Sequence, residues 1–104
     1  MNQKFVPKLV RDNIPEIIQS SGRSCQWHRA DIPEYSVRLH DKMCEELTEF
    51  MEDPGVEEAA DMYEVFLSLL SNWDIDFCDV VFRANDKKKE RGGFRERIVL
   101  DVIS

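Results

Sequence analysis

Asp53-Pro54-Gly55 divides the most strongly helix-patterned stretch of the chain, and its two sides read as an antiparallel helical hairpin. On the near side Asp31 is the predicted N-cap, Pro33 lies in the first turn, and Glu34 takes the capping-box position. This helix is expected to run to about Met51. Met43, Cys44, Leu47, Phe50 and Met51 form its buried stripe, with Tyr35 and Leu39 on one flank. On the far side Asp53 is expected to cap the next helix, with Pro54 at its first position. Met62, Tyr63, Val65, Phe66, Leu67, Leu69, Leu70 and Trp73 leave that helix apolar around most of its circumference. It is therefore expected to be the central one.

Each arm carries acidic residues three apart, Glu46 with Glu49 and Glu58 with Asp61. At 100° per residue Glu46 borders the apolar sector, Glu49 is the next position round, and Glu45 points further away, toward solvent or a supporting place behind the other two. Glu58 falls on the line of Met62, Val65 and Leu69, where a carboxylate needs a cation or strong hydrogen bonds to stay ionised. Counted from Asp53, Glu49 and Glu58 lie ~6 and ~7.5 Å along their helices, and Glu46 and Asp61 ~10.5 and ~12 Å. Four carboxylates facing at matched levels repel unless a cation compensates them. Hard divalent cations prefer such oxygen donors.

The remaining elements follow from the same rules. Asn13, Pro15 and Glu16 predict a short helix with a capping box, ended by Ser20-Ser21-Gly22. A fourth helix should start near Asp76, bury Phe77, Val80 or Val81 and Ala84, and stop at Gly92 after the basic run Lys87, Lys88, Lys89 and Arg91. Residues 24–30 and 97–103 alternate in the manner of strands and are read as a short β-hairpin. The whole is an all-α antiparallel bundle of about four helices, in one domain over residues 1–104.

A net charge of -7 argues against a nucleic-acid polymer or an anionic membrane as partner. No apolar run reaches a membrane span, and the polar start Met1-Asn2-Gln3-Lys4 is unlike a signal peptide. Cys25, Cys44 and Cys78 are odd in number and lack Cys-x-x-Cys spacing, so reduced, buried thiols in a cytoplasmic protein are expected. His28 and His40 have no ligand-spaced partners and are read as surface or satisfied polar residues.

The pattern Glu45-Glu46-Leu47-Thr48-Glu49 followed by Glu58-Ala59-Ala60-Asp61 resembles that of the MazG-like, all-α nucleoside triphosphate pyrophosphatase superfamily, which includes the phosphoribosyl-ATP pyrophosphohydrolases. The flanks Lys8-Leu9-Val10-Arg11-Asp12-Asn13-Ile14-Pro15 and Arg91-Gly92-Gly93-Phe94 are similar to those of a small single-domain subgroup. The resemblance implies Mg²⁺- or Mn²⁺-dependent cleavage of a nucleoside triphosphate between its α- and β-phosphates, to the monophosphate and pyrophosphate. By that resemblance Glu46, Glu49, Glu58 and Asp61 hold the metal. Glu45, Glu46 and Glu49 form the catalytic group, with Glu45 positioning or deprotonating the attacking water. Lys87, Lys88 and Arg91, together with Lys8 and Arg11, are its candidates for phosphate contacts. It further implies a homo-oligomer, dimer or tetramer. The short interval between Glu49 and Glu58 departs from many members and leaves less room for a nucleobase. Two alternatives stand beside it: hydrolysis of phosphoribosyl-ATP, and a non-catalytic helical module that binds a nucleotide or a partner.

Overall fold

The computed structural model describes residues 6–104; the reading of Met1-Asn2-Gln3-Lys4 lies outside the described residues. Four helices follow in order: α1 (Ile14–Ser20), α2 (Ile32–Glu52), α3 (Val56–Asn72) and α4 (Phe77–Arg91). No strand occurs among the described residues, and none of their helices is long and apolar enough to cross a membrane.

The helix signals hold unevenly. Asp31 caps α2 by accepting the Glu34 N–H, and Asp76 caps α4 by accepting the N–H groups of Cys78 and Asp79. Gly22 and Gly92 take φ of +85° beyond α1 and α4, the left-handed region where a side chain is disfavoured. Asn13 precedes α1, but its side chain makes no capping bond, so the expected capping box is absent. Asp53 likewise does not cap α3. It ends α2, its N–H donating to the Glu49 carbonyl, while Pro54 stays outside the helix and Gly55 becomes the extended N-cap. Asp53, Pro54 and Gly55 all lie in the turn, and α3 starts later than the proline alone suggests.

α2 against α3 is the one extensive helix pairing among the described residues. Asn72 at the end of α3 donates to Ser36 Oγ near the start of α2 at 3.0 Å, which fixes the antiparallel register. Leu39 is fully buried, Val65 is 8% exposed, and Met43 and Phe50 are half-buried beside them. The contact line is therefore Leu39, Met43, Glu46 and Phe50. Cys44, Leu47 and Met51, expected within the buried stripe, face outward. The stripe is wider than one neighbouring helix can cover, and α3 takes only one side of it.

The β-hairpin expected from residues 24–30 and 97–103 does not form. Phe94–Arg97 closes as a turn, with Arg97 N–H on the Phe94 carbonyl and Arg97 at φ +57°, and this breaks the alternation at its start. Residues 24–30 are engaged locally instead: His28 lies 2.9 Å from Glu34, and the Arg29 guanidinium lies over the Trp27 ring. An isolated two-stranded ribbon has little stability of its own against such contacts. The thiols are free, as expected, but Cys44 and Cys78 are exposed rather than buried.

The chain is elongated, 59 × 30 × 28 Å with a radius of gyration of 18.4 Å. A compact domain of this length has a radius near ~13 Å. Its 9746 Å² of accessible surface exceeds the ~6,100 Å² usual for a folded monomer of 12.2 kDa by roughly 3,600 Å².

Candidate metal centre

The functional side chains sit where α2 and α3 approach their connecting turn. Glu45, Glu46 and Glu49 each present an oxygen, and the three oxygens lie within 4.8 Å of one another. Glu46 is 5% exposed, because the contact line that buries Leu39 passes through it two turns later. Its Oε1 is ion-paired with Lys42 Nζ at 3.1 Å, while its Oε2 is buried without any hydrogen-bond partner. A buried carboxylate oxygen left bare is costly, and a cation is one of few partners able to offset that cost.

Glu45 is half-buried and belongs to this group, rather than facing solvent or standing behind the other two. Lys42 and Lys8 draw it inward: Lys42 Nζ lies 3.4 Å from its Oε2 and Lys8 Nζ 3.4 Å from its Oε1. Glu49 is exposed, and its carboxyl is held above the usual range, chiefly by the charge of Glu46 and next by partial desolvation. Like charges crowded on one helix face thus favour a retained proton or a bound cation.

The two acidic residues of α3 are not drawn into this trio. Because α3 starts only at Val56, Glu58 occupies its third position, and its Oε2 folds back over Gly55, 3.0 Å from where a β-carbon on that glycine would lie. Counted from the actual helix ends, Glu49 lies ~4.5 Å inside α2 and Glu58 ~3 Å inside α3, so their levels still correspond while the Glu58 side chain turns to Gly55. Asp61 is half-buried and accepts from Arg11 Nη2 at 2.8 Å, a bond that raises the arginine pKa further.

The basic candidates divide in two. Lys8 and Arg11, on the segment before α1, stand on Glu45 and Asp61. Arg38 holds that segment down by donating to the Pro7 carbonyl at 3.1 Å. Among the described residues, no ion pair joins Lys87, Lys88 or Arg91 to the carboxylates. Sequence reasoning missed Lys42. Its spacing to Glu45 and Glu46, i to i+3 and i to i+4, was the available signal.

The donor set suits a hard divalent cation: carboxylate oxygens only, on one helix face, with one buried oxygen unpartnered. His28 and His40 stand apart from it, paired with Glu34 and Asp41. Comparison with known protein families, with curated proteins and with solved structures returned no match for this chain.

Proposed function

We propose that the chain is a divalent-cation-dependent hydrolase of the MazG-like kind that cleaves a nucleoside triphosphate between its α- and β-phosphates. The observation that carries this reading is the buried Glu46, which has an unpartnered Oε2 and whose carboxylate clusters with those of Glu45 and Glu49. Glu46 and Glu49 would hold Mg²⁺ or Mn²⁺, joined by Glu58 and Asp61 once these turn from Gly55 and Arg11. Bound there, the cation supplies Lewis-acid polarisation of a phosphoryl oxygen. Glu45 would position the attacking water or take a proton from it. Arg11, released from Asp61, and Lys8 offer donors to the phosphates from the segment that lies against the site.

The working form is a homo-oligomer in the reducing interior of a cell. Three free cysteines fit that compartment. The surface excess of roughly 3,600 Å² per chain is more than the ~1,000–2,500 Å² per partner that obligate assemblies typically bury, so it leaves room for such an interface. Val81, Phe82 and Trp73 are among the large apolar side chains that such an interface would cover.

A nucleotide panel incubated with Mg²⁺ or Mn²⁺ and assayed for pyrophosphate tests the activity. Release of pyrophosphate is expected for at least one triphosphate, and is lost in Glu46→Gln, Glu58→Gln and Asp61→Asn. One observation favours a second reading, a non-catalytic helical module: Asp61 is already neutralised by Arg11, and Glu58 lies apart from the trio. That reading expects no turnover of any nucleotide and variants indistinguishable from the parent.

A further inference from the structure

Lys42 is 17% exposed and its ammonium spans two acidic residues, 3.1 Å from Glu46 Oε1 and 3.4 Å from Glu45 Oε2. It is the one basic side chain that touches the buried carboxylate among the described residues. Burial opposes its charge, but the bond to Glu46 and the fields of Glu45 and Glu46 more than offset this and hold the ammonium protonated. The other Glu46 oxygen, Oε2, is bare. Lys8 reaches only Glu45, so Lys42 alone serves the buried Glu46, and one of that carboxylate's oxygens is left unsatisfied.

We propose that Lys42 is the built-in counter-ion of the cluster, which holds Glu45 and Glu46 together in the metal-free protein and is displaced when a divalent cation enters. The inference rests on the reading of the trio as a cation site. A cation bound to these carboxylates at the ~2.1 Å typical of Mg²⁺ would stand close to the ammonium, and the two positive charges repel in a partly dry setting. Of the two, Lys42 is the one with a flexible stem and a strongly hydrated head, so it moves. A small recess borders it, lined by Pro7, Lys8, Leu9, Arg38, Asp41 and Glu45. Asp41 there provides an alternative acceptor for the displaced ammonium. Lys42 thereby keeps the carboxylates from splaying apart without metal, and it weakens metal binding by having to be exchanged.

Titration of Mn²⁺ into the wild type, Lys42→Met and Lys42→Arg, with free Mn²⁺ read by electron paramagnetic resonance, tests the exchange without relying on turnover. Lys42→Met is expected to bind Mn²⁺ about tenfold more tightly, equivalent to roughly 1.4 kcal/mol. Lys42→Arg, which keeps the charge, is expected to bind no more tightly than the wild type. If the wild type binds Mn²⁺ while folded Lys42→Met binds equally or more weakly, the counter-ion role is overturned and the cation site stands. If the wild type binds none, both are overturned. Because Lys42→Met leaves a buried carboxylate alone, the unmodified chain provides a second measurement. The Lys42 ammonium resonance, slowed in exchange by its two carboxylates, is expected to lose that protection as Mg²⁺ is added. An unchanged resonance at saturating Mg²⁺ overturns the exchange.

Discussion

The α2–α3 hairpin and the α4 segment with its C-terminal extension are built from equally clear local signals, yet they end in opposite states. α4 has the best-formed cap of the molecule, with Asp76 accepting two N–H groups, a basic last turn and Gly92 as its stop. It nevertheless buries no residue, and beyond it Phe94 is 97% exposed. The hairpin caps poorly at the start of α3 but owns every buried side chain among the described residues: Leu39, Glu46 and Val65. Capping and propensity make a helix; only a complementary apolar face gives it a place. Within a single chain the hairpin has that face, and α4 does not.

The largest expected effect concerns the proposed self-association. In analytical ultracentrifugation the protein should sediment as a multiple of 12.2 kDa, and its melting temperature should rise with concentration. Phe82→Asp should dissociate it and erase most cooperative unfolding. A cooperatively folding 12.2 kDa monomer would break the contrast outright.

Truncation inside the hairpin should cost more than outside it. Leu39→Ala removes a fully buried side chain and is expected to cost about 3 kcal/mol in chemical denaturation, whereas Phe94→Ala should fall within about 0.5 kcal/mol. Comparable losses at both positions would show that the C-terminal extension is buried in the working form. Smaller again is the cap: Asp76→Ala should remove about 1 kcal/mol, visible as fraying of α4 by amide exchange.

The smallest expected effect is tied to pH. The Glu49 carboxyl is held above its ordinary value, so the folded state binds that proton more tightly than the unfolded state. Ionised Glu49 therefore opposes folding at neutral pH, and that opposition fades as pH falls through the raised folded value. In the metal-free protein Glu49→Gln should melt slightly higher than the parent near pH 7, and the difference should vanish in acid. A parent more stable than Glu49→Gln at neutral pH without metal would reverse the sign and remove the like-charge explanation.

Helix number, order and most limits were legible because Asp31, Asp76, Gly22 and Gly92 act locally, within a turn of where they stand. What was illegible depended on partners at a distance. The start of α3 hinged on whether Pro54 entered the helix, and that one choice put Glu58 in the first turn of α3, with its carboxylate against Gly55. Glu45 turned inward because Lys8, from a segment distant in sequence, reached it alongside Lys42. The alternation of Ile98, Leu100 and Val102 is a true strand pattern, yet period alone supplies no neighbouring strand. The carboxylate trio itself was readable as three residues on one helix; the bare oxygen of Glu46 was not, since only packing against α3 buries it.

Titration of Mn²⁺ into the wild type and Glu46→Gln, followed by loss of the free-ion resonance, addresses the acidic cluster most directly. The wild type should bind Mn²⁺, and Glu46→Gln, with its helical content unchanged, should bind at least about tenfold more weakly. Wild-type protein that leaves all Mn²⁺ free, or a folded Glu46→Gln that binds as the wild type does, would contradict the cluster's assignment as a metal centre.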